Sequence, residues 1–203
     1  MNIKIILASA SPRRRELVKL LGYEFTCISA DADENIDCAD PVRAVKELSM
    51  RKANALLRTM PDFYENPGKN ASGDSQSDTV IIGADTIVVC DGEIMGKPKD
   101  DRDAFRMLRK ISGKTHSVYT GVTMLWNDSS STSFAEETKV TVEELTDREI
   151  QNYIDTKDHK DKAGSYAIQG IFSIHIEKIH GDYNNVVGFP VARIYKEIKN
   201  KPQ

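Results

Sequence analysis

The chain has 203 residues, with 28 Lys and Arg against 31 Asp and Glu and a net charge of -3. That length suits one domain or two small lobes, and 39% hydrophobic residues read as an ordinary soluble globular protein. The acidic balance argues against a general nucleic-acid binder but not against one phosphate ligand, because local clusters set a site's potential.

"IKIILA", residues 3–8, predicts a first strand. Ser11 is a natural N-cap and Pro12 suits the first helical position. Leu17, Leu20 and Leu21 then repeat at helical spacing, and Gly22 ends the run. "YEFTCIS" reads as a second strand, followed by the acidic stretch "ADADENIDCAD". Pro41 opens a helix through about Met60. Residues 61–78, "PDFYENPGKNASGDSQSD", read as a mobile, variable surface loop. "TVIIGADTIVV" is a near-continuous β-branched run, as expected of a strand covered on both faces. Asp91-Gly92 makes a hairpin turn into "EIMGKP". "DDRDAFRMLRKISG" places Ala104, Leu108 and Ile111 on one helical stripe. "HSVYTGVTMLW" and "FAEETKVTVEEL" read as antiparallel strands joined by a polar turn. Thr146 and Glu149 form a capping box for a short helix. "IFSIHIEKI" alternates as a strand, and "GFPVARIYKEIKN" closes as an amphipathic helix. The mix predicts an α/β fold with a mixed sheet.

Several residues sit where their chemistry needs explaining. Arg13, Arg14 and Arg15 crowd the positive end of a helix dipole, where each exposed cation costs about 0.3–1 kcal/mol. At about 100° per residue, Arg13 and Arg14 project on the side of Leu17 and Leu21, whereas Arg15 points away. Two guanidiniums beside open backbone N–H groups make a cradle for phosphate; a solvated basic helix start paired with Glu16 is the plainer alternative. Lys52 falls inside the stripe of Val45, Leu48 and Leu56, so it must snorkel, find an anion or line a cleft. Asp85 interrupts an apolar strand, where an unpaired carboxylate would cost several kcal/mol. Pairing with a lysine, metal binding, or a place at a catalytic edge would each relieve that cost. Gly83 and Ala84 leave room for a close approach. Asp33 and Glu34 would complete a hard oxygen set suited to magnesium or manganese, or stand as solvated surface.

Other patterns carry no chemistry. "SGKT" at 112–115 resembles part of a P-loop, but Leu108 stands where the first glycine belongs and a helix precedes it. The four histidines lack zinc spacing, and there is no G-x-S-x-G or G-x-G-x-x-G. Cys27, Cys38 and Cys90 lack C-x-x-C spacing and suit a reduced, cytosolic setting. No apolar run approaches the roughly 20 residues of a membrane span, and the start "MNIKIILASASP" is too short in apolar length for a signal peptide.

"LASASPRRREL", "RKA" at 51–53, "GADTIVV", "GKP" at 96–98, "DKAGSYAIQG" and "GDYNNVVGFP" occur in the order seen in the Maf family. The chain resembles that family from about Ile3 to the last helix, missing only the loop near 61–78. The resemblance implies one Maf-like domain over 1–203, two lobes around a cleft, with a fold similar to the inosine triphosphate pyrophosphatases. It also implies a nucleoside triphosphate pyrophosphatase that cuts between the α- and β-phosphates with a divalent metal, magnesium or manganese. Asp85 then matches the proton acceptor, and Glu34 and Asp85 hold the metal. Ser9, Arg13, Arg14, Lys52 and Lys97 neutralise the triphosphate. Arg13, Thr86 and Gln169 stand at the selectivity positions, and "YAIQG" resembles the subfamily acting on dTTP and UTP. Another subfamily, acting on 7-methyl-GTP, carries an acidic residue where Gln169 stands; a neutral amide suits the imide edge of thymine or uracil. The implied protein is a cytoplasmic homodimer with a nucleotide substrate and no membrane or stable nucleic-acid partner. Rival readings are the same chemistry on another base, a non-catalytic cell-division regulator (the family takes its name from septum inhibition), and an RNA-binding arginine helix.

Overall fold

The β-branched run around Asp85 forms the longest strand, β3 (Ser77–Cys90). The computed structural model describes residues 2–29, 31–35, 38–65 and 77–201. Most of the expected loop at 61–78 and three positions in the acidic stretch lie outside the described residues. β1 (Asn2–Ala8) runs parallel to β3, and β2 (Glu24–Ile28) runs parallel to β1 on its other edge. Val80, Ile81 and Ile82 are all fully buried, so consecutive side chains on opposite faces are covered. β3 then turns at Asp91 and Gly92 into β4 (Glu93–Met95). Both turn residues have positive φ, 50° and 76°, as a two-residue hairpin turn of this hand demands. β5 (Thr115–Trp126), β6 (Ser131–Val142) and β7 (Ile176–His180) complete a seven-stranded mixed sheet. Its order is β2-β1-β3-β5-β6-β7, with β4 paired to β3. The fold is α/β, as the sequence predicts.

The chain divides into two compact units: Met1–Asp85, Gly121–Ala135 and Gly188–Gln203 in the first, Thr86–Thr120 and Glu136–Val187 in the second. In the first, α1 (Pro12–Lys19) follows β1, α2 (Pro41–Leu57) precedes β3, and α6 (Val191–Lys199) closes the chain. Its core joins Ile6, Ala8, Ala53, Leu56, Phe63, Ile81 and Leu125. Gly83 and Gly121 set how closely α2 lies on the strands. A Cβ at Gly83 would stand 2.3 Å from the Ser49 carbonyl oxygen, and one at Gly121 2.0 Å from that of Val45. The Ser49 hydroxyl meets the Thr123 hydroxyl at 2.9 Å in the same seam.

In the second unit, α3 (Asp101–Ile111) buries Ala104, Met107, Leu108 and Ile111, and α4 (Asp147–Asp155) starts with the expected Thr146/Glu149 capping box. Tyr153, Tyr166 and Phe172 pack with ring centroids about 5 Å apart. Three local expectations differ. Residues 171–179 were expected as one strand, but Ile171–His175 is a 3₁₀ turn and only Ile176–His180 is strand. There the Ser173 amide and hydroxyl both donate to the Gly170 carbonyl, which closes the turn, and Ile171 and Ile174 are left exposed. A short helix, α5 (Tyr183–Val187), also lies inside the "GDYNNVVGFP" motif. Leu20 is 65% exposed, so Leu17 and Val18 carry the buried face of α1, with Leu21 buried just beyond its end.

Gly121→Ala is expected to lower unfolding stability by about 1–3 kcal/mol, because its methyl meets backbone rather than a movable side chain. Gly96→Ala, where a Cβ meets nothing within 4 Å, is the control. Equal denaturation midpoints for the two variants would contradict the close packing of α2.

Candidate active site

The parallel register places the C-terminal end of β1 beside β3, with Ala8 opposite Gly83, so Ser9 leaves the sheet near Asp85. Carboxyl ends of parallel strands are where α/β sheets offer ligand positions. Ser9 is buried and its hydroxyl oxygen accepts from the Ser11 amide at 3.1 Å, which tightens the turn into α1. Ser11 caps the helix by accepting from the Arg14 amide. Arg13 and Arg14 are half-buried and Arg15 is exposed, as the helical angles predict. The Arg14 Nε donates to the Gly188 carbonyl at 2.8 Å, which fixes the guanidinium from the far end of the chain. Burial depresses the pKa of Arg14; Asp85 opposes that, Arg13 reinforces it, and Glu34 opposes it again. These four groups therefore share one electrostatic neighbourhood. A guanidinium stays charged even so.

Lys52 supplies the centre of the arrangement. Its Nζ donates to Asp85 Oδ1 in a short ion pair and reaches Glu34 Oε1 at 2.9 Å. Lys52 and Asp85 side chains are each only 13% exposed, so the pairing relieves the desolvation penalty of both. Of the three ways to relieve Asp85, the lysine pairing is present. The close approach at Gly83 makes it possible: the backbone of Ala53, next to Lys52, lies against that glycine.

The acidic segment is held by Arg51, which sequence reading left without a role although it opens the "RKA" motif. Its guanidinium donates to the Asn35 carbonyl at 2.8 Å and pairs with Glu47 at 2.5 Å and Asp33 at 3.7 Å. Asp33 is thereby turned toward Arg51, and Glu34 is the carboxylate that meets Lys52. Among the described residues no group of three or more His, Cys, Asp or Glu stands close enough to hold a metal. Glu34 and Asp85 nevertheless converge on one cationic point, and two carboxylates joined by substrate phosphates suit magnesium or manganese. The donor set fits a divalent cation. Elsewhere on the first unit, a cavity of about 590 Å³ is lined by residues including Asp33, Lys46, Met50, Arg51 and Arg58, and Lys52, Asp85 and Arg14 do not line it.

Thr86, Lys97 and Gln169 belong to the second unit. Thr86 is half-buried and its hydroxyl meets that of Thr120 at 2.9 Å; Thr120 donates onward to the Asn185 carbonyl. Lys97 and Gln169 are exposed, each beside a well-packed segment. Gly164 accounts for one of these: its φ is 66°, a Cβ there would stand 2.8 Å from Val88, and its amide donates to the Gly96 carbonyl next to Lys97. Three residues before Gln169, Tyr166 is buried with its hydroxyl 2.8 Å from His116 Nε2. Burial drives the His116 pKa down to about 4 and that of Tyr166 up, so both are neutral near pH 7.

A carboxylate within β3, just past the end of β1, with a largely buried lysine and half-buried arginines beside a helix N-terminus, suits an α/β protein that handles a polyanion. The chain belongs to the Maf family: the family described as Maf-like protein matches residues 4–201. It is 49% identical over 200 residues to the dTTP/UTP pyrophosphatase of Agathobacter rectalis, covering 97% of this chain and 96% of that one. It is 42% identical to the dTTP/UTP pyrophosphatase of a Thermoanaerobacter species, over 98% and 97% of the two chains. The protein of that name from Bacillus cereus is 44% identical, over 97% and 94%. Among the described residues no helix is long and apolar enough to cross a membrane.

A pH effect follows from His116. Its folded-state pKa lies below the ordinary 6.5, so the unfolded chain binds the proton first as pH falls. The stability contributed by the neutral ring is complete above pH 6.5 and is lost toward pH 4, by at most about 1.4 kcal/mol per pH unit. Denaturant titrations from pH 7 to 4 are expected to fall more steeply for the wild type than for His116→Gln. Identical slopes would contradict the burial of a neutral ring.

Proposed function

We propose that this chain is a nucleoside triphosphate pyrophosphatase that hydrolyses dTTP and UTP to the monophosphate and pyrophosphate. The observation that carries this reading is the buried Lys52–Asp85 pair, with Glu34 and Arg14 around it, in a member of the Maf family. The near full-length identity to enzymes of that name supports the same conclusion.

Phosphoryl transfer asks a protein chiefly for positioning and charge neutralisation. Arg13, Arg14, Lys52 and Lys97 neutralise the triphosphate, while Ser9 and the open amides of α1 orient it. Asp85 accepts a proton from the water that attacks the α-phosphorus. The bond from that phosphorus to the bridging oxygen breaks, and pyrophosphate leaves with the electron pair. Glu34 and Asp85 would hold the divalent cation, whose chemistry is to polarise the phosphoryl oxygens and offset developing charge. Thr86 and Gln169, with Arg13, select the base; the amide of Gln169 both donates and accepts, which matches an imide edge. The whole of 1–203 acts as one Maf-like domain, working as a cytoplasmic homodimer.

With magnesium, purified protein is expected to convert dTTP to thymidine monophosphate and pyrophosphate in equal amounts. Asp85→Asn is expected to lower kcat by at least about 10²-fold, the scale of a lost proton acceptor. Lys52 keeps Glu34 as a partner in that variant, so the fold survives, as circular dichroism would verify. Orthophosphate as the first product, or an Asp85→Asn enzyme of normal activity, would refute the assignment.

A further inference from the structure

We infer that Lys52 occupies the cation position between Glu34 and Asp85 until substrate arrives, so that the divalent metal enters with the nucleotide rather than ahead of it. The inference deepens the proposed function and rests on it for the identity of the polyanion. Its ground is geometric. Lys52 Nζ touches both carboxylates, at 2.9 Å to Glu34 and in a short contact to Asp85, which are the two oxygen donors a metal would use. A divalent ion arriving alone must displace an ammonium from both, and no third carboxylate, histidine or thiol joins them among the described residues.

Charge points the same way. Arg14 interacts electrostatically with Asp85 and Glu34, and Lys52 pairs with both, so two cationic side chains face the two carboxylates. The two carboxylates are therefore already matched by positive charge, and a bare divalent ion arriving alone finds little net attraction there. A metal-bound triphosphate still carries net negative charge and is attracted. On its arrival Lys52 exchanges its carboxylate partners for phosphate oxygens, which leaves Glu34 and Asp85 to the metal. Lys52 is in this respect a positioning residue as well as a phosphate ligand: it keeps the two carboxylates converged while the site is empty. The relative affinities follow. The metal site is weak without nucleotide, strong with it, and strengthened in the empty protein by removing one side chain.

The test is manganese binding by electron paramagnetic resonance, which reads the signal of unbound Mn²⁺ and needs no turnover. Nucleotide-free wild type is expected to bind Mn²⁺ only weakly, with Kd near millimolar. Adding an α,β-imido analogue of dTTP, which cannot be cleaved, is expected to tighten it at least tenfold. Lys52→Gln is expected to bind Mn²⁺ at least tenfold more tightly than wild type without nucleotide, and Glu34→Gln in that background to abolish the gain. A micromolar Kd for the nucleotide-free wild type would overturn the inference whatever the variants do. So would unchanged affinity in a folded Lys52→Gln protein. Absence of any response to the analogue, with Lys52→Gln still tightened, would instead count against the proposed substrate and leave the competition intact.

Discussion

The candidate site of the first unit depends on one largely buried ammonium. Lys52 lies where a helix stripe should be apolar, and Asp85 lies where a strand should be. Each alone would carry a desolvation penalty of several kcal/mol. They offset each other because α2 approaches β3 at Gly83 closely enough for the pair to form, with Glu34 added from the acidic segment. Three stretches remote in sequence are thus held by one cation. The arrangement contributes modestly to stability, since a buried ion pair rarely outperforms an apolar one. On the proposed function its value is chemical: a carboxylate kept in place, oriented, and surrounded by groups that can re-pair with phosphate.

The arginines of α1 follow the same logic. Cations at a helix N-terminus are misplaced by the dipole, and burial further disfavours the charge on Arg14. Asp85 and Glu34 offset part of this, and the Gly188 carbonyl holds the guanidinium in register. An anion would complete the balance. Positive charge gathered ahead of its ligand is the preorganisation that phosphoryl transfer exploits, because no reorganisation is then needed when negative charge shifts toward the leaving group. Arg51 and Ser11 set where the acidic segment and the helix start lie.

Much of this was legible in the residues. Asp85 and Lys52 announced themselves as polar groups at apolar positions, and the angular argument separated Arg13 and Arg14 from Arg15. The long strand, the Asp91-Gly92 turn and the Thr146 capping box have strong local signals, and all formed as read. What the sequence concealed depends on contacts between remote segments. Gly83 was seen as room for an approach, but not that the backbone of α2 fills it. Arg51 received no role from the sequence because its partners, the Asn35 carbonyl and Asp33, are distant along the chain. The turn at Ile171–His175 defeated the period-two pattern because Ser173 folds back on Gly170, a side-chain competition that alternation cannot display. Gly188 offers only a carbonyl, and a backbone acceptor leaves no trace in a sequence.

The central claim is that the site directs water onto the α-phosphorus of the nucleotide. Hydrolysis of dTTP in ¹⁸O-labelled water, followed by mass spectrometry of both products, tests it most directly. The account predicts one ¹⁸O in thymidine monophosphate and none in pyrophosphate. Label in the pyrophosphate would place the attack at the β-phosphorus and contradict it.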